Sequence, residues 1–474
     1  MSSAPSARAY PTCIPPRRYT EGPCRSSDAR AREPSVSDAR SPVNLGAAVS
    51  AKQLCSAVFV AGRHPQEAVP HCVLPEIRGI HEPMSYVVDN IAKTATVTLG
   101  SFTRVARFCG SQGCVIIPEG ADDVCFDPVD VDTSLPAADT QQWPMGDVGA
   151  AAAPDADVDA AAIEEAVELA FRHPDAKTAA FLVAHRGRII AERYADGCHA
   201  DVQLESWSMG KSLIATLVGL LVEDGSVGLD DPAPIPAWRG ADDPRAAITV
   251  ANLLHMSSGL EFSAQDEPDG GDHSYVYSGA VDVFDLAISR RLEHPPNTVC
   301  RYRNCDPLAL GYIVRRIVEG RGEEYLSFPQ RALFDRVGIR KMVPEVDPFG
   351  NFIMTGYMYG TARAWLRLGL LYLWGGVWEG ARILPDGWSD FVTSRAPAAP
   401  SGGRGAMFTL PGARAGLPPD AYAMRGAGDN DVSIVPSRDL VIVRMGHLSG
   451  WTPEEACVRP NEIVVAAAPA VQDA

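Results

Sequence analysis

Ser208-Met209-Gly210-Lys211 is the stretch that decides the fold, and the run Ser212-Leu-Ile-Ala-Thr-Leu-Val-Gly-Leu-Leu-Val-Glu223 follows it directly. That run is apolar on nearly every side of a helix, so it predicts a helix buried inside a larger domain. Asp224-Gly225 ends the predicted helix. Since Ser208 and Lys211 lie one turn apart, a hydroxyl and an amine share one face of the helix start.

The Ser-x-x-Lys pair indicates nucleophilic catalysis. A serine hydroxyl is a weak nucleophile until a nearby base takes its proton, and a desolvated lysine amine can do so. Backbone N–H groups at the helix N-terminus can stabilise a developing oxyanion. Taken alone, the tetrapeptide is more typical of a serine N-cap and a solvent-exposed lysine. The catalytic interpretation therefore depends on the buried helix and on two further motifs.

The second motif is Tyr302-Arg303-Asn304, which precedes a predicted helix over 308–316. A phenol whose pKa is lowered by a lysine ammonium can act as a general base and then protonate the leaving group. Without that context, Tyr302 would be interpreted as a core or turn tyrosine.

The third motif is Arg425-Gly-Ala-Gly-Asp-Asn430, which leads into the predicted strand 432–435. The glycines at positions 426 and 428 would let a strand approach a bound ligand and a neighbouring helix closely. On its own, this pattern predicts only a turn or a bulge.

Two hairpins indicate the fold class. The runs 179–185 and 188–194 flank Arg186-Gly187, and the runs 432–435 and 440–443 form the second pair. The chain between the hairpins is mostly helical. We therefore predict an α+β domain with one antiparallel sheet built from both ends of the domain, flanked by helices. A helical lobe would cover the sheet, with the nucleophile between them.

The remaining segments divide by composition. Residues 1–44 have little apolar periodicity and are expected to be a disordered tail. The predicted order is that tail, a small N-terminal α/β extension over 45–118, an acidic linker over 119–158, the hydrolase domain over 159–460 and a C-terminal tail over 461–474. The extension would hold a helix over 48–60 and strands that begin near Tyr86, Thr94, Val105 and Cys114.

Composition excludes several function classes. The chain has 474 residues and a net charge of −17, which argues against nucleic acid or an anionic membrane as partner. No apolar run is long enough to predict a membrane span. The N-terminus lacks a secretory pattern, which favours the cytoplasm, with an exported form as the alternative if translation starts elsewhere. The 11 scattered cysteines lack zinc-type spacing and predict reduced thiols without a metal.

Together the motifs resemble the serine β-lactamase and penicillin-binding protein superfamily, with its β-lactamase/transpeptidase-like fold. Within it, the chain is most similar to the class C-like hydrolases that include 6-aminohexanoate-dimer hydrolase and related esterases. The stretches that carry the resemblance are Glu205–Lys211, Asn252–Gly259, Tyr302–Pro307 and Ile434–Leu440.

The resemblance implies roles for the site residues. Ser208 would be acylated, and Lys211 would lower the pKa of Tyr302 or act as the base itself. Asn304 would orient the lysine or the substrate. The strand that contains Gly426, Gly428 and Asn430 would bind substrate, and one N–H near Asn430 would join the Ser208 N–H in an oxyanion hole. No cofactor and no metal are implied.

The chain departs from the family pattern at the third motif. Gly426-Ala427-Gly428 stands in place of Lys-Thr-Gly, and Asp429-Asn430 stands where Gly-Gln is expected. A carboxylate at Asp429 is expected to weaken catalysis. The leading prediction is a hydrolase of a small-molecule amide or ester. The alternatives are a β-lactamase or D-alanyl peptidase, and a binding protein without turnover; the oligomeric state stays open.

Overall fold

The structure is a computed structural model that describes residues 39–263, 271–399, 403–411, 416–448 and 458–471. Most of the tail predicted over 1–44 lies outside the described residues. In chain order the strands are β1 Met84–Asp89, β2 Thr94–Leu99, β3 Phe102–Phe108, β4 Cys114–Ile116, β5 Thr178–His185, β6 Arg188–Tyr194, β7 Leu204–Glu205, β8 Met342–Pro344, β9 Met358–Gly360, β10 Val377–Trp378, β11 Ala381–Arg382, β12 Tyr422–Gly426, β13 Asn430–Val435 and β14 Leu440–Gly446. The helices are α1 Pro42–Phe59, α2 Pro65–Ala68, α3 Ala160–Arg172, α4 Met209–Glu223, α5 Val250–Leu254, α6 Gly271–Ser278, α7 Val283–Ile288, α8 Cys305–Gly320, α9 Ala362–Leu373, α10 Trp388–Thr393 and α11 Arg459–Ala467.

A five-stranded antiparallel sheet with the order β12-β13-β14-β5-β6 organises the larger domain. Both predicted hairpins are present in it. Arg186 and Gly187 have φ of 49° and 73°, the positive values that a tight two-residue hairpin turn requires. Because β5–β6 come from the start of the domain and β12–β14 from its end, the predicted α+β fold is confirmed.

The two faces of the sheet pack against different layers. Phe181 and Val183 of β5 point into a cluster with α3 and α11, whereas Leu182 and Ala184 point into the main core with α9. This alternation follows from the two-residue period of a strand. Helix α4 packs between α8 of the helical lobe and the edge strand β12. The start of α4 therefore lies between the sheet and the lobe.

The C-terminal residues are not a tail. Helix α11 packs on α3, and Val464 is completely buried between them. The prediction of a tail from residue 461 was wrong because the helix is short, and its apolar face becomes evident only when α3 supplies a partner.

The N-terminal unit is a four-stranded antiparallel sheet, β1-β2-β3-β4, covered by α1. Helix α1 begins at Pro42, before the predicted boundary at residue 45, and Asn44 in its first turn is already buried. Its apolar face, with Ala51 and Leu54, packs on the small sheet.

The opposite face of α1 is polar and faces the larger domain. Lys52 forms a buried ion pair with Glu345, which also accepts a hydrogen bond from Ser56 Oγ at 2.7 Å. Gln53 donates to Glu205 Oε1 at 2.5 Å. Buried charges are tolerated only when they are paired and hydrogen-bonded, so these contacts fix how α1 sits on the domain.

The acidic segment 119–158 is held by arginines of the larger domain. Arg367 donates to Pro144 O, Gly146 O and Asp147 Oδ1, each at 2.7 Å.

Seven described cysteines are free thiols, as predicted, but Cys125 is disulfide-bonded, which the prediction of reduced thiols missed. In the part of the chain that the structure describes, no helix is long and apolar enough to cross a membrane.

The Glu205 carboxyl is expected to make stability depend on pH. Burial, with a smaller contribution from Glu345, raises its pKa from 4.5 to about 7 against the opposing effect of Lys52. The folded state then binds a proton more tightly than the unfolded state, so stability falls as the pH rises from about 4.5 to about 7. Between these pH values the free energy of unfolding of Glu205→Gln should rise relative to that of wild type by up to roughly 3 kcal/mol. Denaturant unfolding at each pH measures this difference.

The exposed Glu164→Gln serves as the control and should follow the wild-type pH profile. Parallel profiles for Glu205→Gln and wild type would contradict the assignment of this proton to Glu205.

Candidate active site

Ser208 stands at the junction between strand β7 and helix α4. Trp207, just before it, has φ of 49°, a left-handed conformation that is unfavourable for a bulky residue and is common at functional sites. Ser208 occupies the N-cap position of α4, but its hydroxyl is directed at Lys211 and Tyr302 and does not cap the helix. The hydroxyl is thus held at the surface between sheet and lobe.

The three residues predicted to perform the chemistry come together. Ser208 Oγ lies 3.2 Å from Lys211 Nζ and 2.6 Å from the Tyr302 hydroxyl. The Lys211 amine also lies 4.8 Å from the centre of the Tyr302 ring. Proton transfer among these groups needs no movement larger than a side-chain adjustment.

Lys211 is almost completely buried, with 2% of its surface exposed. Burial lowers its pKa below the ordinary value of 10.5, and the neighbouring Tyr302 opposes this effect only in part. Its Nζ donates to the backbone O of Thr355 at 2.7 Å. The segment that carries Thr355 passes so close that a Cβ on Gly210 would lie 2.7 Å from Met354 O. Sequence reasoning missed Thr355, because a backbone acceptor leaves no signal in the sequence.

Tyr302 is poised to lose its proton. Burial alone would raise the pKa of the phenol, but the charge of Lys211 and the hydrogen bonds with Lys211 and Ser208 outweigh it, and the pKa falls below 10. A lysine with a lowered pKa beside a tyrosine with a lowered pKa can share one proton between two bases. The pair can therefore act as a general base.

A loop of the helical lobe fixes the Tyr302 segment from both sides. Before Tyr302, the Arg301 N–H donates to Met256 O at 3.1 Å. After it, Ser258 Oγ donates to Asp306 Oδ1 at 2.6 Å, in the first turn of α8. The 252–259 stretch, which carries part of the family resemblance, thus holds the phenol in position.

Asn304 is buried, and its amide donates to Nδ1 of His273 at 3.2 Å. His273 lies beside Tyr302, with ring centres 6.3 Å apart. Burial and the charge of Lys211 lower the pKa of His273 to about 4, so the imidazole is neutral at pH 7. Sequence reasoning missed His273, since a lone histidine in a helix is not a recognisable motif.

Gly426 marks a point where β12 lies next to Ser208. A Cβ at this position would lie 2.0 Å from Ser206 O and 3.1 Å from Ser208 N, so only glycine fits. Gly428 instead lies in the following turn with φ of 73°, where its carbonyl accepts from Arg444 Nη1 at 2.8 Å. Of the two predicted glycines, only Gly426 lines the Ser208 side.

The structure corrects the placement of Asn430. This residue begins β13, the inner neighbour of β12, and is completely buried. Its amide donates to Glu205 O and Ala427 O, and its Oδ1 accepts from the Gly446 N–H. Strand β12, through Gly426, lies next to the Ser208 nitrogen, and the oxyanion donor predicted near Asn430 stays a prediction.

Asp429 lies in the same turn and has φ of 56°. Its backbone O accepts from Arg444 Nη1 at 3.0 Å. The left-handed conformation explains why glycine would also be suited to this position.

Comparisons with known proteins identify the family of this chain. A family model described as Beta-lactamase matches residues 161–466. The 6-aminohexanoate-dimer hydrolase of Paenarthrobacter ureafaciens is 26% identical over 319 residues, which cover 60% of this chain and 77% of that protein.

Two solved structures have a similar fold. One is a Bacillus anthracis protein whose name, 6-aminohexanoate-dimer hydrolase, is provisional; its TM-score is 0.53 at 21% identity, over 62% of this chain and 80% of that one. The other is a family VIII carboxylesterase, with a TM-score of 0.52 at 16% identity, over 67% of this chain and 98% of that one. Likeness at these identities establishes the fold. Because the family model spans more than half of the chain and includes Ser208, Lys211 and Tyr302, the protein belongs to the Beta-lactamase family.

Proposed function

We propose that this protein is a serine hydrolase that cleaves a short amide or ester through an acyl-enzyme on Ser208. The observation that carries the proposal is the placement of Ser208 Oγ within hydrogen-bond distance of both Lys211 and Tyr302. The relative from Paenarthrobacter ureafaciens supports a substrate like a 6-aminohexanoate oligomer, and the carboxylesterase supports an ester.

In the acylation step, Ser208 Oγ attacks the carbonyl carbon while its proton passes to the deprotonated Lys211–Tyr302 pair. Collapse of the tetrahedral intermediate breaks the C–N or C–O bond, and the pair returns this proton to the leaving nitrogen or oxygen. Water then attacks the acyl-enzyme, gives up a proton to the pair and releases the carboxylic acid as Ser208 regains its proton.

We assign the oxyanion hole to the N–H groups of Ser208 and Arg425. The N–H and C=O of Ala423 both pair with Thr409, on the side of β12 away from β13. In an antiparallel ladder the direction of the N–H groups repeats every second residue, so the Arg425 N–H points to the same outer side. That side borders Ser208, since the adjacent Gly426 lies next to the Ser208 nitrogen. Two such donors stabilise the charge that develops in the transition state.

Ser208→Ala should remove covalent labelling by a fluorophosphonate and lower ester turnover by several orders of magnitude. Its free energy of unfolding should stay within about 1 kcal/mol of wild type, because the hydroxyl contributes little packing. Intact-mass spectrometry with peptide mapping measures the label.

Ser212→Ala is the matched control, since this serine lies one turn further along α4 and donates to Met407 O. It should keep both label and turnover. Turnover retained in Ser208→Ala would remove Ser208 from the mechanism.

Lys211 and Tyr302 are expected to behave as one unit. The double variant Lys211→Ala/Tyr302→Phe should be little slower than the slower single variant, because either change already disables the shared proton transfer. Steady-state kcat/KM for one small ester measures this. Losses that multiply would show that the two residues act independently.

Asp429→Gly tests whether the turn after β12 limits the rate. The left-handed backbone at this position accommodates glycine, so the variant should fold. Removing a carboxylate near the oxyanion strand should raise kcat for a small ester by up to roughly tenfold. An unchanged or lower kcat in the folded variant would show that Asp429 does not limit the rate. It would also remove the main sequence argument for a binding protein without turnover.

A further inference from the structure

We propose that Tyr277 is a positioning residue of this site, because its hydroxyl holds the same Thr355 carbonyl that accepts a hydrogen bond from Lys211. The inference rests on the proposed function and adds a residue to the same site. Tyr277 lies in α6 and belongs to none of the three sequence motifs.

The Thr355 carbonyl oxygen accepts two hydrogen bonds. Lys211 Nζ donates to it at 2.7 Å, and the Tyr277 hydroxyl donates to it at 2.9 Å. A carbonyl oxygen has two lone pairs, so both bonds can form at once. The hydroxyl hydrogen on this acceptor places partial positive charge beside the Lys211 amine, which disfavours the charged form of that amine. Tyr277 therefore acts on the base through a shared acceptor.

Tyr277 is suited to donate a hydrogen bond and not to give up its proton. The residue is buried, and burial raises the pKa of its phenol, with a smaller contribution from Tyr302. The pKa of Tyr302, in contrast, is lowered. The site thus holds two tyrosines with different tasks. Tyr302 transfers protons, and Tyr277 keeps its own and stays a donor.

A glycine lets Tyr277 reach Thr355. A Cβ on Gly356 would lie 2.6 Å from Cε1 of the Tyr277 ring and 2.9 Å from its hydroxyl oxygen, so a side chain there would push the ring away. The ring also lies edge-on to Trp207, with ring centres 5.8 Å apart. Because Trp207 directly precedes Ser208, Tyr277 packs between the Thr355 segment and the turn that presents Ser208.

Tyr357 fixes the backbone of Tyr277. Its hydroxyl donates to Tyr277 O at 2.8 Å, and the two ring centres are 5.1 Å apart. The Lys52 ammonium of α1 lies 3.3 Å from the centre of the Tyr357 ring, which is a cation–π contact. The N-terminal unit thus supports the position of Tyr277. A hydroxyl held in this way is preorganised and needs no rearrangement during the reaction.

The pH dependence of labelling tests this role. Tyr277→Phe keeps the ring but removes the donor to Thr355 O, so the carbonyl accepts from Lys211 alone and the charged amine becomes more stable. The pH at which a fluorophosphonate labels Ser208 at half its maximal rate should then rise by roughly half a unit to one unit. This midpoint belongs to the Lys211–Tyr302 pair, which must be deprotonated before Ser208 attacks.

Tyr277→Phe leaves the other ionisable groups around Lys211 and Tyr277 unchanged. These groups are Tyr302, His273, Arg404 and Glu76. A raised midpoint therefore reports the lost hydroxyl. Tyr372→Phe is the matched control, since this buried tyrosine has its hydroxyl 2.9 Å from Thr216 Oγ1, further along α4. It should keep the wild-type midpoint, whatever stability it loses.

Gly356→Ala is a second test that keeps the tyrosine. Its Cβ should displace the Tyr277 hydroxyl from Thr355 O and raise the midpoint in the same direction. An unchanged or lowered midpoint in folded Tyr277→Phe would overturn the positioning role and leave the hydrolase intact. If Tyr277→Phe does not fold, the same result in Gly356→Ala would overturn it. Failure of the proposed function would look different, because Ser208 would then remain unlabelled in the wild type.

Discussion

Burying the Lys211 amine beside Ser208 is the constraint on which the rest of the structure depends. A buried ammonium is costly unless its hydrogen bonds are satisfied, and this cost is what lowers the pKa of the amine. Thr355 O and Ser208 Oγ supply the acceptors. To bring Thr355 close enough, the chain must pass directly over Gly210, where a larger residue would collide with Met354 O. Helix α4, the close passage of the Thr355 segment over Gly210 and the lobe around Tyr302 all contribute to this burial.

The N-terminal unit takes part in the same architecture. Glu205, three residues before Ser208, and Glu345, just after β8, are buried carboxylates of the larger domain. Helix α1 supplies Lys52 and Gln53 to them, so the unit neutralises charge directly behind the strand that leads to Ser208. Without these partners the two carboxylates would be buried uncompensated or would force the strands to open.

The protein is a serine hydrolase of the Beta-lactamase family whose site mouth departs from the family pattern. The familiar lysine of the third motif is absent, and the turn after β12 carries Asp429. The nearest exposed cation over Tyr302, Arg404, comes from a different segment, held between β12 and α4. One fold can accept different substrates when the central residues of the site are kept and the residues around its opening differ.

By itself, the sequence determined the hairpins, the buried α4 and the Ser208, Lys211 and Tyr302 set, because these features depend on local periodicity, turn chemistry and short motifs. Only the tertiary structure decided which strand borders Ser208, since β12 and not the inner strand β13 lies beside it. It also revealed Thr355, His273 and Arg404, and it turned residues 42–44 and 461–467 into helix. Each of these features depends on a partner that is distant in the chain. A backbone acceptor or a single side chain leaves no periodic pattern in the sequence from which such a partner could be predicted.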